Sequence, residues 1–200
     1  MNTSRTPSQA ASRHAASRHA ASRHATQNRF TRTAIVLHWL VALMLIGQFA
    51  LGWLLDEIPR NTPERGFWIN QHKSIGLVIG LVILLRIVWR LRHAPPPPLP
   101  MPLWQQRAAD ASHLAMYACM VLMPLSGYLA SNFSKHGIKL FNTVALAPWG
   151  GDDKLLYAIL NQTHKVTAVV FALLIGLHLL AVVKHALIDR DGLLSRMWVR

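Results

Sequence analysis

Acidic residues are scarce in this chain. Asp and Glu together number 8 against 21 Lys and Arg, and no carboxylate precedes Asp56. Charged residues of either sign make up only 14% of the 200 residues, whereas apolar ones reach 52%. Soluble domains usually carry about 25% charged residues. Cysteine is nearly missing: Cys119 stands alone inside an apolar run, which excludes an intrachain disulfide and any Cys-rich zinc site. No C-x-x-C-H run exists, so covalent c-type haem attachment is excluded. A glycine-rich nucleotide loop, a nucleophile triad and a helix-borne H-E-x-x-H are also missing, which removes hydrolase and nucleotide-dependent chemistry. The net charge of +13 suggests nucleic acid at first sight. Its distribution argues against that, because the basic residues flank long apolar runs instead of interleaving on one face. Anionic membrane lipid is the partner this pattern fits.

What is present is four long apolar runs behind a polar tail. Residues 1–32 hold six arginines, no acid, and ASRHA three times in tandem over residues 11–25. Such a segment cannot bury enough apolar surface to fold, so a disordered, lipid-attracted arm is expected. Metal binding through His14, His19 and His24 is the weaker alternative. Residues 33–200 form the expected helical domain. Ala34–Leu55 is uncharged over 22 residues, a reach of about 33 Å at the α-helical rise and enough for a hydrocarbon core. Residues 69–89 are interrupted by Lys73 and Arg86, leaving twelve uncharged residues between them. A span is still expected there, since both charges lie near an end and can snorkel. The proline block at 94–102 stops it. Residues 108–130 carry His113 and Pro124, and residues 160–187 carry His164, His178 and His185. Pro124 predicts a kink. Thirteen Lys and Arg lie on the side of both termini and five in the two opposite loops, so the positive-inside rule places both termini in the cytoplasm. The expected fold class is an all-α membrane protein, a bundle of four transmembrane helices with both termini cytoplasmic.

Histidine within a span is costly without a partner. His164 and His178 are fourteen residues apart, within roughly 40° of one helix face and separated by about 21 Å along it. One metal ion cannot bridge that distance, but two stacked flat cofactors can. Matching ligands by depth pairs His72 with His164 and His38 with His178. Bis-histidine ligation in an apolar bundle suits haem iron in electron transfer. Zinc would want further ligands, and copper is not excluded by ligand type. Spacing leaves His185, seven residues beyond His178, open as an alternative ligand. Arg86 and Arg90, one turn apart, are candidates to clamp haem propionates at the inner end, with lipid anchoring as the equal alternative. Lys73 and Lys165 are candidates at the outer end.

LHWL at 37–40, INQHKSIG at 69–76 and LLRIVWRLR at 84–92 followed by prolines run in this order. SHLAMYACMVLMPLSG at 112–127, THK at 163–165 and IGLH at 175–178 complete the series. In this order the chain resembles the bacterial cytochrome b561 proteins, often grouped with hydrogenase-type b cytochromes, from about Phe30 to Met197. The resemblance implies four helices and two b haems held at His38, His72, His164 and His178, and so prefers His178 to His185. One branch of the family resembles a superoxide oxidase that reduces ubiquinone. The expected function is therefore transmembrane electron transfer from superoxide at the periplasmic face to ubiquinone. A cytochrome subunit linking a dehydrogenase or hydrogenase-type partner to the quinone pool is the first alternative, and a haem-free histidine-lined transporter the second. Lys73, Lys135, Lys139 and Lys165 are the candidate lip for an anionic substrate. His113 and His185, left over as ligands, are candidates for proton delivery to quinone.

Overall fold

The computed structural model describes residues 29–198; the ASRHA repeat lies outside them. Four helices follow one another: α1 (Arg32–Glu57), α2 (Pro63–Arg92), α3 (Leu103–Asn132) and α4 (Lys154–Lys184). All four are long and apolar enough to cross a membrane. The helices α2, α3 and α4 begin five or six residues before the apolar runs that predicted them and α1 two, whereas α4 closes at Lys184, short of the expected 187, where a π turn takes over. Polar side chains can cap a helix beyond its apolar run. Thr31 accepts from the Ala34 amide, Thr62 from that of Arg65, and Asp153 from those of Leu155 and Leu156. These oxygens satisfy amides that a helix start leaves bare. Pro63 sits at the first turn of α2, where its missing N–H costs nothing. At the other end of the same loop Arg65 folds back and donates to the carbonyls of Leu55 and Ile58, closing α1.

Between α3 and α4 the chain makes a short antiparallel hairpin, β1 (Ile138–Leu140) with β2 (Val144–Leu146), Lys139 facing Ala145. This hairpin docks on the first half of α2. Ser74, fully buried, accepts from the Phe141 amide at 2.8 Å and donates to Asn70 O at 2.7 Å. Asn70 Nδ2 donates to Asn142 Oδ1, and Lys73 Nζ to Gly137 O at 2.8 Å. The opposite end of the bundle is tied by the C-terminal segment. Trp39 Nε1 donates to Met197 O, Arg196 to Pro97 O and Arg29 to Ser195 O. The bundle thus has a hairpin end and a terminal end.

Packing runs α1 on α2, α2 on α3 and α3 on α4. The central core is a single layer of Val41, Ile79, Ile83, Cys119, Met120 and Phe171. Outside it, Leu43, Ile46, Leu114, Leu173 and Leu180 are each about two-thirds exposed or more. So much outward apolar surface is untenable in water and natural against acyl chains. Three polar side chains of α3 are satisfied within the helix itself. Ser126, Ser131 and Asn132 each return a hydrogen bond to a carbonyl four residues back.

Candidate functional site

The bundle holds two sets of histidines, one toward each end. Toward the hairpin end, His72 of α2 and His164 of α4 face each other with ring centres 6.1 Å apart. Toward the terminal end, His38 of α1 and His178 of α4 face each other at 6.4 Å. A metal–imidazole bond is about 2 Å, and a ring nitrogen lies about 1.1 Å from its ring centre, so two imidazoles on one metal have centres about 6.3 Å apart. Both pairs meet that separation. Depth along straight helices predicted these pairs, and the fold brings the same partners together.

Each pair is supported differently. His164 Nδ1 is 2.8 Å from Met123 O. A carbonyl there requires the proton on Nδ1 and leaves Nε2 with its lone pair free, which is how ligating histidines are normally oriented. The ring comes so close to α3 because residue 127 is glycine: a Cβ there would stand 3.1 Å from His164 Nδ1 and 3.2 Å from Cε1. Gln48 of α1 donates to the His72 carbonyl at 2.8 Å and ties the two helices beside the pair. None of Gly127, Met123 or Gln48 was visible as a site residue in the sequence. The serine–glycine of MPLSG was the one trace, and its meaning depends on which helix α3 faces.

At the terminal end the arrangement is fuller than depth alone implied. His113 of α3 lies 5.8 Å from His178, ring centre to ring centre, so three histidines gather there. Arg86 of α2 turns part of its guanidinium into the bundle. Its Nε and Nη1 are buried with no hydrogen-bond partner among the described residues. Buried N–H donors without an acceptor are costly, and a carboxylate-bearing guest would relieve these two. Arg90 is exposed and can act only at the rim. The donor set therefore fits haem: two imidazoles per metal, and at the terminal end two unsatisfied Arg86 nitrogens for a propionate.

His185 does not join His178. Its Nδ1 lies 2.6 Å from Asp191 Oδ2 and 3.2 Å from Asp189 Oδ2, within and just beyond a π turn at His185–Asp189. Donor atoms of the three lie within 4.8 Å of one another. Lys184 Nζ, however, already sits 2.5 Å from Asp189 Oδ2, filling the place of a cation. Asp191 has its carboxyl below the ordinary value. Burial pushes it up, but the Leu193 amide and the His185 ring outweigh that.

The candidate anion lip at the hairpin end is thinner than its four lysines suggest. Lys73 is committed to Gly137 O, so it braces the hairpin, and Lys135 pairs with Asp152 at 3.6 Å. Lys139 and Lys165 remain exposed.

Residues 29–199 match the family described as prokaryotic cytochrome b561. The chain belongs to that family. Cytochrome b561 homolog 2 of Escherichia coli (strain K12) is 32% identical over 167 residues, covering 80% of this chain and 86% of the relative. Cytochrome b561 homolog 1 of the same organism is 26% identical over 86% of this chain and 98% of the relative. A protein named probable superoxide oxidase CybB, from Yersinia pestis, is 27% identical over 84% of this chain and 95% of the relative. This chain is thus a multi-pass membrane cytochrome of an electron-transfer family, for which b-type haem is implied.

Proposed function

We propose that this cytochrome b561 carries electrons singly across the bacterial inner membrane between two b haems, one held by His72 and His164 and the other by His38 and His178. The observation that carries the reading is the presence of two histidine pairs, each at bis-imidazole separation, at opposite ends of one bundle. Between them lies a dry layer centred on Phe171, which is 2% exposed and stands seven residues from both His164 and His178. Haem supplies reversible one-electron chemistry when bound. The chain supplies the rest. His164 is fixed in one tautomer by Met123 O, Arg86 stands ready for a propionate, and the Phe171 layer, in ring contact with Phe49 at 6.0 Å, keeps water from joining the two sites.

With both termini cytoplasmic, the hairpin end faces the periplasm. Superoxide is the donor we favour, in keeping with the name of the Yersinia pestis relative, and ubiquinone the acceptor. The balance is two superoxide, one ubiquinone and two protons giving two dioxygen and one ubiquinol. No general base is needed at the donor side, only a weakly positive approach, which Lys139 and Lys165 provide. The engagement of Lys73 and Lys135 favours a second reading, a carrier subunit that accepts electrons from a redox protein docked on the same face. Two measurements on purified protein decide. Haem extraction with a reduced-minus-oxidised spectrum should give two b haems per chain, and one or none defeats the paired-ligand reading. Superoxide consumption with ubiquinol formation separates the oxidase from the carrier, which should show neither without its partner. A colourless protein would restore the transporter alternative.

A further inference from the structure

The terminal end contains a cavity of about 420 Å³ lined by Arg29, His185, Arg190, Leu193, Leu194 and Trp198, among others. Three features of it point to one kind of guest. First, it is joined to the terminal histidine pair by two indoles. Trp39 packs edge-on against His38 at 5.6 Å, and Trp198, a wall of the cavity, packs on Trp39 at 6.5 Å. The bond from Trp39 Nε1 to Met197 O, 2.9 Å, holds that wall in place. Second, His185 lies on the same face of the chain as His178, seven residues and about 10 Å further along. Third, His185 lines the cavity and holds Nδ1 on Asp191 Oδ2 at 2.6 Å. Nε2 is then the ring nitrogen not committed to a carboxylate. A carboxylate so placed fixes the orientation of the ring and keeps a proton on Nδ1, the arrangement of a proton donor and acceptor.

We infer that this cavity is the quinone site: a benzoquinone headgroup sits against Trp198, and the His185–Asp191 dyad delivers its protons. The inference rests on the quinone reading above and assigns it a place and residues. The headgroup takes up two electrons, one at a time, from the superoxide oxidised at the far face. It also takes up two protons, forming two O–H bonds as both C=O bonds become C–O single bonds and the ring becomes aromatic, and each proton breaks one Nε2–H bond of His185. His185 gives each proton from Nε2 and regains it from the aqueous phase, while Asp191 stays ionised throughout. The other charged groups facing the dyad are Lys184, already paired with Asp189, together with Arg190 and Arg29. Their positive excess favours a semi-reduced, anionic headgroup, while the Leu193 amide and the His185 ring keep Asp191 ionised.

The test uses the full haem-loaded chain in lipid nanodiscs. An azido-benzoquinone is the photolabel, and decyl-ubiquinone is both competitor and substrate. Label is expected in the peptide spanning residues 185–198, displaced by decyl-ubiquinone and reduced at least about tenfold in Trp198→Ala. Asp191→Asn should leave the labelling in place while slowing ubiquinol formation about 100-fold, the scale of a lost acid–base group; His185→Gln should do the same. The isosteric Asp191→Asn keeps the test meaningful where His185→Gln disturbs the helix end, and the haem spectrum of each variant reports folding. Label elsewhere, or Asp191→Asn turning over at the parent rate, overturns this inference and leaves the proposed function standing. A parent protein with both haems reducible that forms no ubiquinol overturns both.

Discussion

Gly127 offers the sharpest test of how the hairpin-end pair is built. A Cβ at this position would stand 3.1 Å from His164 Nδ1 and 3.2 Å from Cε1, whereas ordinary contact begins at 3.4 Å. In Gly127→Ala the imidazole must therefore retreat by about 0.3 Å, which stretches its 2.8 Å bond to Met123 O toward about 3.1 Å, near the limit for N–H···O. Overpacking of this size costs about 1.4 kcal/mol, toward the low end of its range, so haem affinity at this pair should fall about tenfold, as for a weakened bond to a ligating histidine. Gly127→Val adds two methyls with no room to move, and the pair should no longer close on a metal. The assay is haem transfer to excess apomyoglobin together with pyridine haemochrome stoichiometry. The alanine variant should release one of two haems about tenfold more readily, and the valine variant should purify with one haem per chain. Two haems in Gly127→Val, with unchanged release rates, would refute the account of His164.

Three further outcomes follow from the same geometry. His72→Ala and His38→Ala should each remove one haem, and opposite ones, seen as the loss of different components in a redox titration of the α-band. Arg86→Gln removes a buried positive charge and should lower the midpoint potential of the terminal-end haem by tens of millivolts (about 1 kcal/mol is about 40 mV for one electron). The hairpin-end haem should hardly respond. Because the Asp191 carboxyl lies below its ordinary value of 3.8, its stabilisation of the C-terminal segment is fully present above that value and lost only as pH falls through the lower folded one. Limited proteolysis near residues 190–198 should be flat from pH 7 to 5, and the parent protein should lose protection only in stronger acid. Asp191→Asn should show the weaker protection already at pH 7.

Much of this protein was legible from residue order. The four spans followed from uncharged stretches, because a helix of fixed rise must supply about 20 apolar residues to cross the hydrocarbon. The starts of α1, α2 and α4 lay before those stretches, since capping by Thr31, Thr62 and Asp153 is a local hydrogen-bond matter to which hydropathy is blind. The β1–β2 hairpin was missed for a related reason. Its three-residue strands gain their stability from Ser74 and Asn70 of α2, far away in sequence. The histidine pairs were predictable because depth in a membrane is one coordinate, set by residue number along a nearly straight helix.

Sideways position is another coordinate, and only the tertiary structure decided it. Whether His113 lies beside His178, whether Lys73 meets solvent or Gly137, and whether His185 turns to the metal pair or to Asp191 all depend on how each helix is rotated and how loops fold back. Those choices are set by packing among side chains distant in sequence. Residue order alone therefore determined the spans and the levels at which imidazoles stand. The fold determined which atoms face them: Met123 O and the bare face of Gly127 at one end, the unpaired Arg86 and the dyad below it at the other.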